Sequence, residues 1–490
     1  MRGRLGGRLC GAVALLLPAP ALAHGFGRLY NLPVPFWLYA WGAGAALLLS
    51  FLLVAYFATS PTTSASAAPR DHRLIGTDAL RRLLPALRVL SVLLLLLCIA
   101  TGLFGNRDPL RNFSMTFFWV VFLLGLTYLT ALVGDIYAAL NPWRVLADTL
   151  NRVLRGYTQG RLRYPARLGE WPALALYLAF IGYELFGHSR PVSLAYLLLG
   201  YSLLNLAGVW LIGSAAWFRH CELFSVFLRL IALMAPLHYE AAETPGTRGT
   251  LRWRLPFAGL LQERPASLGV VLFALAMLAT TAFDGLRATQ WWVSLFWRDP
   301  TGLVTALAGA APITAYVQLR PWYLAWEGFW LLASPLLYLA AYLACLALAQ
   351  RLTRSTVPVR QLALDFGYSL LPIALVYHLT HYATLLLTHG LKILSLASDP
   401  FGWGSDLFGT ALLFRAPILP SMGLVWHSQV GLILFGHVVS VIVAHQIALR
   451  VFPTRRQALV SQLPMLVLML AFTVAGLWIL AQPLTTERML

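Results

Sequence analysis

The sequence predicts an all-α, polytopic integral membrane bundle, on three observations. The chain is 59% hydrophobic and only 11% charged, with a mean hydropathy of +0.72. Its apolar residues fall in repeated runs of about 17–25, the length of helix that crosses ~30 Å of hydrocarbon. Within lipid only helices and closed barrels satisfy their own backbone, and runs this long without alternation are helices.

The elements follow in order. Residues 1–23 read as a cleavable signal peptide: Arg2, Arg4 and Arg8, then the apolar run Ala12–Leu17, then Ala-Leu-Ala before His24. Residues 24–490 read as one integral membrane domain of about ten spans. These are Phe36–Phe57, Val89–Leu103, Met115–Val133, Trp171–Phe186, Leu194–Trp217, Leu268–Phe283, Tyr323–Ala349, Leu362–Leu387, Val430–Leu449 and Pro464–Leu480. Every second loop is arginine-rich: Arg70 to Arg82, Arg144 to Arg167, Arg219 to Arg264, Arg351 to Arg360 and Arg450 to Arg456. The positive-inside rule puts those loops in the cytoplasm of a bacterial inner-membrane protein and both mature termini outside. The same rule accounts for the net charge of +18, so no nucleic-acid partner is expected. Apolar residues at three-to-four spacing near 141–156 and 221–237 predict two amphipathic helices lying in the membrane interface. The cysteines, Cys10, Cys98, Cys221 and Cys345, have neither CxxC nor framework spacing.

Function is expected where ionisable residues interrupt the apolar runs, because each costs roughly 2.5–3.5 kcal/mol at the centre of an inserted helix. His378 and His381 lie in one span, His437 and His445 in the next, and Glu184, Asp284, Glu327 and Asp365 in others. His378 and His381, three apart, share a helix face. With His437 they make a nitrogen set suited to a divalent transition metal such as zinc or copper, with Asp284 or Glu184 as base or ligand. His445 is a fourth candidate ligand, although His437 and His445, eight apart, diverge by roughly 80° and make a poor pair for one ion. Asp365 and His445 are expected as a second, inner pair. The plainer readings are an interhelical hydrogen bond for each histidine and a helix-terminal role for Glu327 and Asp365. Motifs for ATP, dinucleotide or serine-hydrolase chemistry do not occur.

The segments AHGFGRLYNLPVPFWLYAWGA, GDIYAALNPWRVL, TTAFDGL, SLLPIALVYHLTHY, SDPFGWGSDLFGT and FGHVVSVIVAHQIAL resemble, in order, the bacterial multi-span membrane proteins named fenitrothion hydrolases. Asp284, His381, Asp406, His437 and His445 fall on positions of that pattern; His378 falls where the pattern has no histidine. The resemblance implies hydrolysis of an organophosphate triester, a small lipophilic substrate, by water activated at a metal or a strong base. Residue chemistry alone favours a transporter for a metal ion or small solute with a proton relay. A haem or copper redox or assembly protein is the third reading. The resemblance places the hydrolase first. Partners expected are the lipid bilayer and, with room for it, a second membrane subunit.

Overall fold

A computed structural model describes residues 34–58, 77–187, 189–240, 250–414 and 421–482. The expected leader and His24 lie outside these residues, as does His188, four positions after Glu184. The chain is an all-α, multi-pass membrane bundle with one short strand pair among the described residues. Among the described residues nine helices are long and apolar enough to cross a membrane. They are α1 (Phe36–Phe57), α2 (Thr77–Phe104), α3 (Phe113–Val133), α6 (Pro191–Ile212), α8 (Leu268–Arg287), α9 (Tyr316–Thr353), α10 (Val359–His389), α11 (Met422–Val451) and α12 (Arg455–Ala481). The expected fourth span is the shorter helix α5 (Trp171–Phe186), and α4 (Pro142–Val153) is the amphipathic helix expected near 141–156.

Helix α8 is the hub. It is apolar on every side and buried along almost its whole length, as a helix surrounded by helices must be. Helices α5, α9, α10 and α12 pack around it. On the outer helices the reverse holds: Trp41, Leu52 and Tyr56 of α1 and Leu336 and Leu337 of α9 are exposed, an apolar surface matched to lipid. Close approach of α10 and α11 requires Gly436, where a Cβ would overlap Val376 and meet the carbonyl of Pro372 at 3.0 Å.

One expected element sits elsewhere. The stretch near 221–237 was expected in the interface, but its helix α7 (Leu223–Ala232) is inside the bundle, with every residue except Arg229 buried. It packs against α3, α5 and α10. A short helix buried at both ends must have its terminal backbone groups satisfied. Glu222 does this at the N-terminus, accepting from the amides of Phe224 (3.1 Å) and Ser225 (2.6 Å). The hydroxyls of Tyr201 (2.6 Å) and Tyr137 (3.4 Å) and the amide of Asn141 (3.3 Å) also donate to it. At the C-terminus Arg254 donates to the carbonyls of Ala232 (2.8 Å), Leu233 (3.2 Å) and Ala235 (2.9 Å). Both ends thus carry the sign of side chain that the helix dipole favours. Arg254 directly follows β2 (Thr250–Trp253), which pairs antiparallel with β1 (Leu237–Glu240), the next element described after α7.

Candidate functional site

The site grows from the last turn of α8. Asp284 is 4% exposed there, and Oδ2 accepts from two neighbours on α10: His381 Nε2 at 2.9 Å and the Tyr382 hydroxyl at 2.9 Å. Adjacent residues on α10 thereby converge on one oxygen. Gly285 admits Ile479 of α12, which a Cβ there would meet at 2.7 Å, whereas His381 Cε1 at 3.5 Å would be in ordinary contact.

One turn further along α8, Arg287 sits between two carboxylates. Its NH1 is 4.0 Å from Asp284 Oδ1, while Nε and NH2 reach Glu327 of α9 at 3.4 and 3.3 Å. Glu327, 2% exposed, also accepts from the Tyr323 hydroxyl at 2.9 Å. The guanidinium lies over the ring of Phe186, 5.1 Å from its centroid. Tyr323 belongs to an aromatic cluster with Trp292, Phe296, Trp297 and Trp326, which covers this end of the network.

The charges count simply. Asp284 and Glu327 contribute two negative charges and Arg287 one positive. With His381 neutral the group carries −1, and with His381 protonated it carries none. Because the Asp284 carboxylate accepts, Nε2 of His381 carries the hydrogen and Nδ1 keeps the lone pair in the neutral ring. Among the described residues Nδ1 has no hydrogen-bond partner.

The other expected site residues are placed separately. Next to the network is a cavity lined by Glu184, Tyr177, Thr280, Thr281, His378 and Tyr382, among others. His378 packs against Tyr382 (4.8 Å between centroids) and Phe227 (6.4 Å), with Nδ1 3.4 Å from the Tyr128 hydroxyl. His437 is bonded through Nδ1 to the carbonyl of Ile433 (2.7 Å) and faces a different cavity. His445 uses both nitrogens: Nε2 donates to the carbonyl of Ala58 (3.0 Å) and Nδ1 accepts from Gln462 (3.1 Å). The expected inner pair is not formed either, because Asp365 bonds Gln361 (2.9 Å) and lies 3.8 Å from Arg264. Asp406 holds the amide of Ala411 within its own loop.

Among the described residues the candidate donors lie apart from one another. Among the described residues no group of three or more His, Cys, Asp or Glu side chains could hold an ion. The physical reason is that the four histidines have separate partners: a tyrosine, a carboxylate and, twice, backbone carbonyls.

Arg287, Tyr382 and Tyr323 were not singled out in the sequence. Arg287 reads as a loop cation after an apolar run, although its i, i+3 spacing from Asp284 was a usable signal. No family model matches the chain, nor does any curated protein or solved structure compared with it.

Proposed function

We propose that this protein is a membrane-embedded hydrolase of small lipophilic phosphotriesters, with His381 as general base and Asp284 as the group that orients it. The observation that supports it is the 2.9 Å bond from His381 Nε2 to Asp284, which leaves Nδ1 as the acceptor. A base oriented by a carboxylate suits activation of water, an effect worth typically 10²–10⁴ in rate. The water oxygen bonds phosphorus as Nδ1 takes its proton, the P–O–aryl bond breaks, and the aryloxide leaves to be protonated. During the step the cluster passes from −1 to neutral, so the base accepts its proton where two carboxylates face one arginine. The step needs only His381 and water; among the described residues no three donors converge on one point. The organophosphate substrate class rests on the sequence resemblance. So does the bacterial character, while the inner-membrane location and the outward mature N-terminus rest on the leader and loop charges.

The same charge count favours a second reading, a proton-coupled transporter in which His381 is the proton carrier. Turnover of a 4-nitrophenyl phosphotriester by the purified protein separates the two. The hydrolase reading expects release of 4-nitrophenol, reduced at least 100-fold in His381→Ala and Asp284→Asn. Absence of turnover in the wild type, or full turnover in His381→Ala, overturns it. Solute-dependent proton uptake into proteoliposomes would then support the transporter.

A further inference from the structure

His437 lines a cavity that is separate from the Asp284–His381 network. It lies among α1, α8, α9, α10, α11 and α12, and its walls include Tyr338, Tyr342, Phe366 and Phe472. Tyr338 and Phe472 stack at 4.6 Å. The cavity offers about 80 Å³. At roughly 10–15 Å³ for each water-sized group, that accommodates about five to eight heavy atoms, the size of one substituted ring.

Its polar atoms define what such a ring must carry. Ser440 donates to the carbonyl of Ser369 (2.6 Å) and Tyr342 to that of Ala363 (3.0 Å). The amide of Gln462 donates to His445 and to the carbonyl of Ala458. These hydrogens are committed. His437 is different. It is 3% exposed, and its Nδ1 faces a carbonyl, which only accepts, so Nδ1 carries the hydrogen. Nε2 on the opposite edge is then an acceptor, and among the described residues it has no partner. An acceptor on a residue that lines a cavity, with no donor of its own, favours a ligand that brings one.

We propose that this cavity binds a small aromatic alcohol of the phenol class, its ring among the aromatic walls and its hydroxyl donating to Nε2 of His437. The ligand enters from the lipid phase, since the cavity lies between membrane-spanning helices. The site does not depend on the hydrolase reading, because it shares no residue with the Asp284–His381 network.

The test uses the full chain in detergent and two probes of equal size, 4-fluorophenol and 4-fluorotoluene, followed by fluorine NMR against protein-free micelles. Only the phenol has a hydroxyl to donate. The wild type is expected to bind the phenol about tenfold more tightly, the discrimination that one buried hydrogen bond brings. His437→Phe is expected to remove the preference, and Ala444→Trp, which fills the cavity, to remove binding of both. Equal binding of the two probes to the wild type overturns the proposal without recourse to any variant. So does binding of neither, or a preference that survives in His437→Phe.

Discussion

His381 and Asp284, ninety-seven residues apart, meet at 2.9 Å between α10 and α8 inside the membrane bundle. The pair is one end of a chain that runs through Arg287 to Glu327 and Tyr323. Each bond in it crosses between helices or spans a single turn, so the network both joins α8, α9 and α10 and holds one imidazole in a fixed orientation.

Arg287→Met leaves two buried carboxylates facing each other. Breaking a buried ion pair from one side costs about 3–5 kcal/mol, most of it from the stranded charge. Thermal unfolding in detergent should show that loss. The double variant Arg287→Met with Glu327→Gln should recover part of it, because one of the stranded charges is gone.

Helix α7 depends on its caps. Glu222→Ala removes the acceptor for two backbone amides and for the Tyr201 hydroxyl, a loss of about 3 kcal/mol. Hydrogen exchange is the discriminating measurement: amides of Leu223–Ala232 should lose protection first, and before those of α8. Arg254→Met should expose the same segment from its other end.

Gly436→Leu should separate α10 from α11. The added side chain would enter space held by Val376 and the carbonyl of Pro372, and overpacking of this kind costs about 1–3 kcal/mol or more. A lower unfolding temperature, with Gly431→Leu as a control where a Cβ meets nothing within 4 Å, checks it.

Acid should loosen the loop after α10. Burial works against ionisation of Asp399, but donors from Gly404, Ser405 and Trp403 outweigh it and hold the carboxyl below its ordinary 3.8. A depressed folded-state value means that the contribution to stability is complete above the unfolded pKa and lost as pH falls through the folded one. The loop carries Phe401 and Pro400, whose carbonyls accept from the amides of Asn106 and of Phe113 at the start of α3. Proteolysis of the loop should therefore rise only below about pH 4, and Asp399→Asn should show that susceptibility at neutral pH.

The bundle was legible because each span repeats the same strong signal, an unbroken apolar run ended by a change of loop charge. Asp284, Glu327 and His381 were legible for the complementary reason, as ionisable residues inside such runs. Their partners were not. Arg287 falls at a helix end, where an arginine is unremarkable in sequence, and Tyr382 is one tyrosine among 19. The histidines His437 and His445 looked like candidate ligands, yet they bond backbone carbonyls, which no sequence pattern displays. Helix α7 was misplaced because an amphipathic repeat gives the width of an apolar face, not what covers the other side. Arg229 marks that side, and its guanidinium reaches the carbonyl of Arg219 at 2.8 Å.

The most direct measurement of the central claim is nitrogen NMR of histidine-labelled protein in lipid nanodiscs, with the His381 signals identified by their loss in His381→Ala. A protonated Nε2, with its signal displaced in Asp284→Leu, is the predicted result, and it is independent of any substrate. A ring that carries its hydrogen only on Nδ1, or one indifferent to the loss of Asp284, would contradict the dyad and every role built on it.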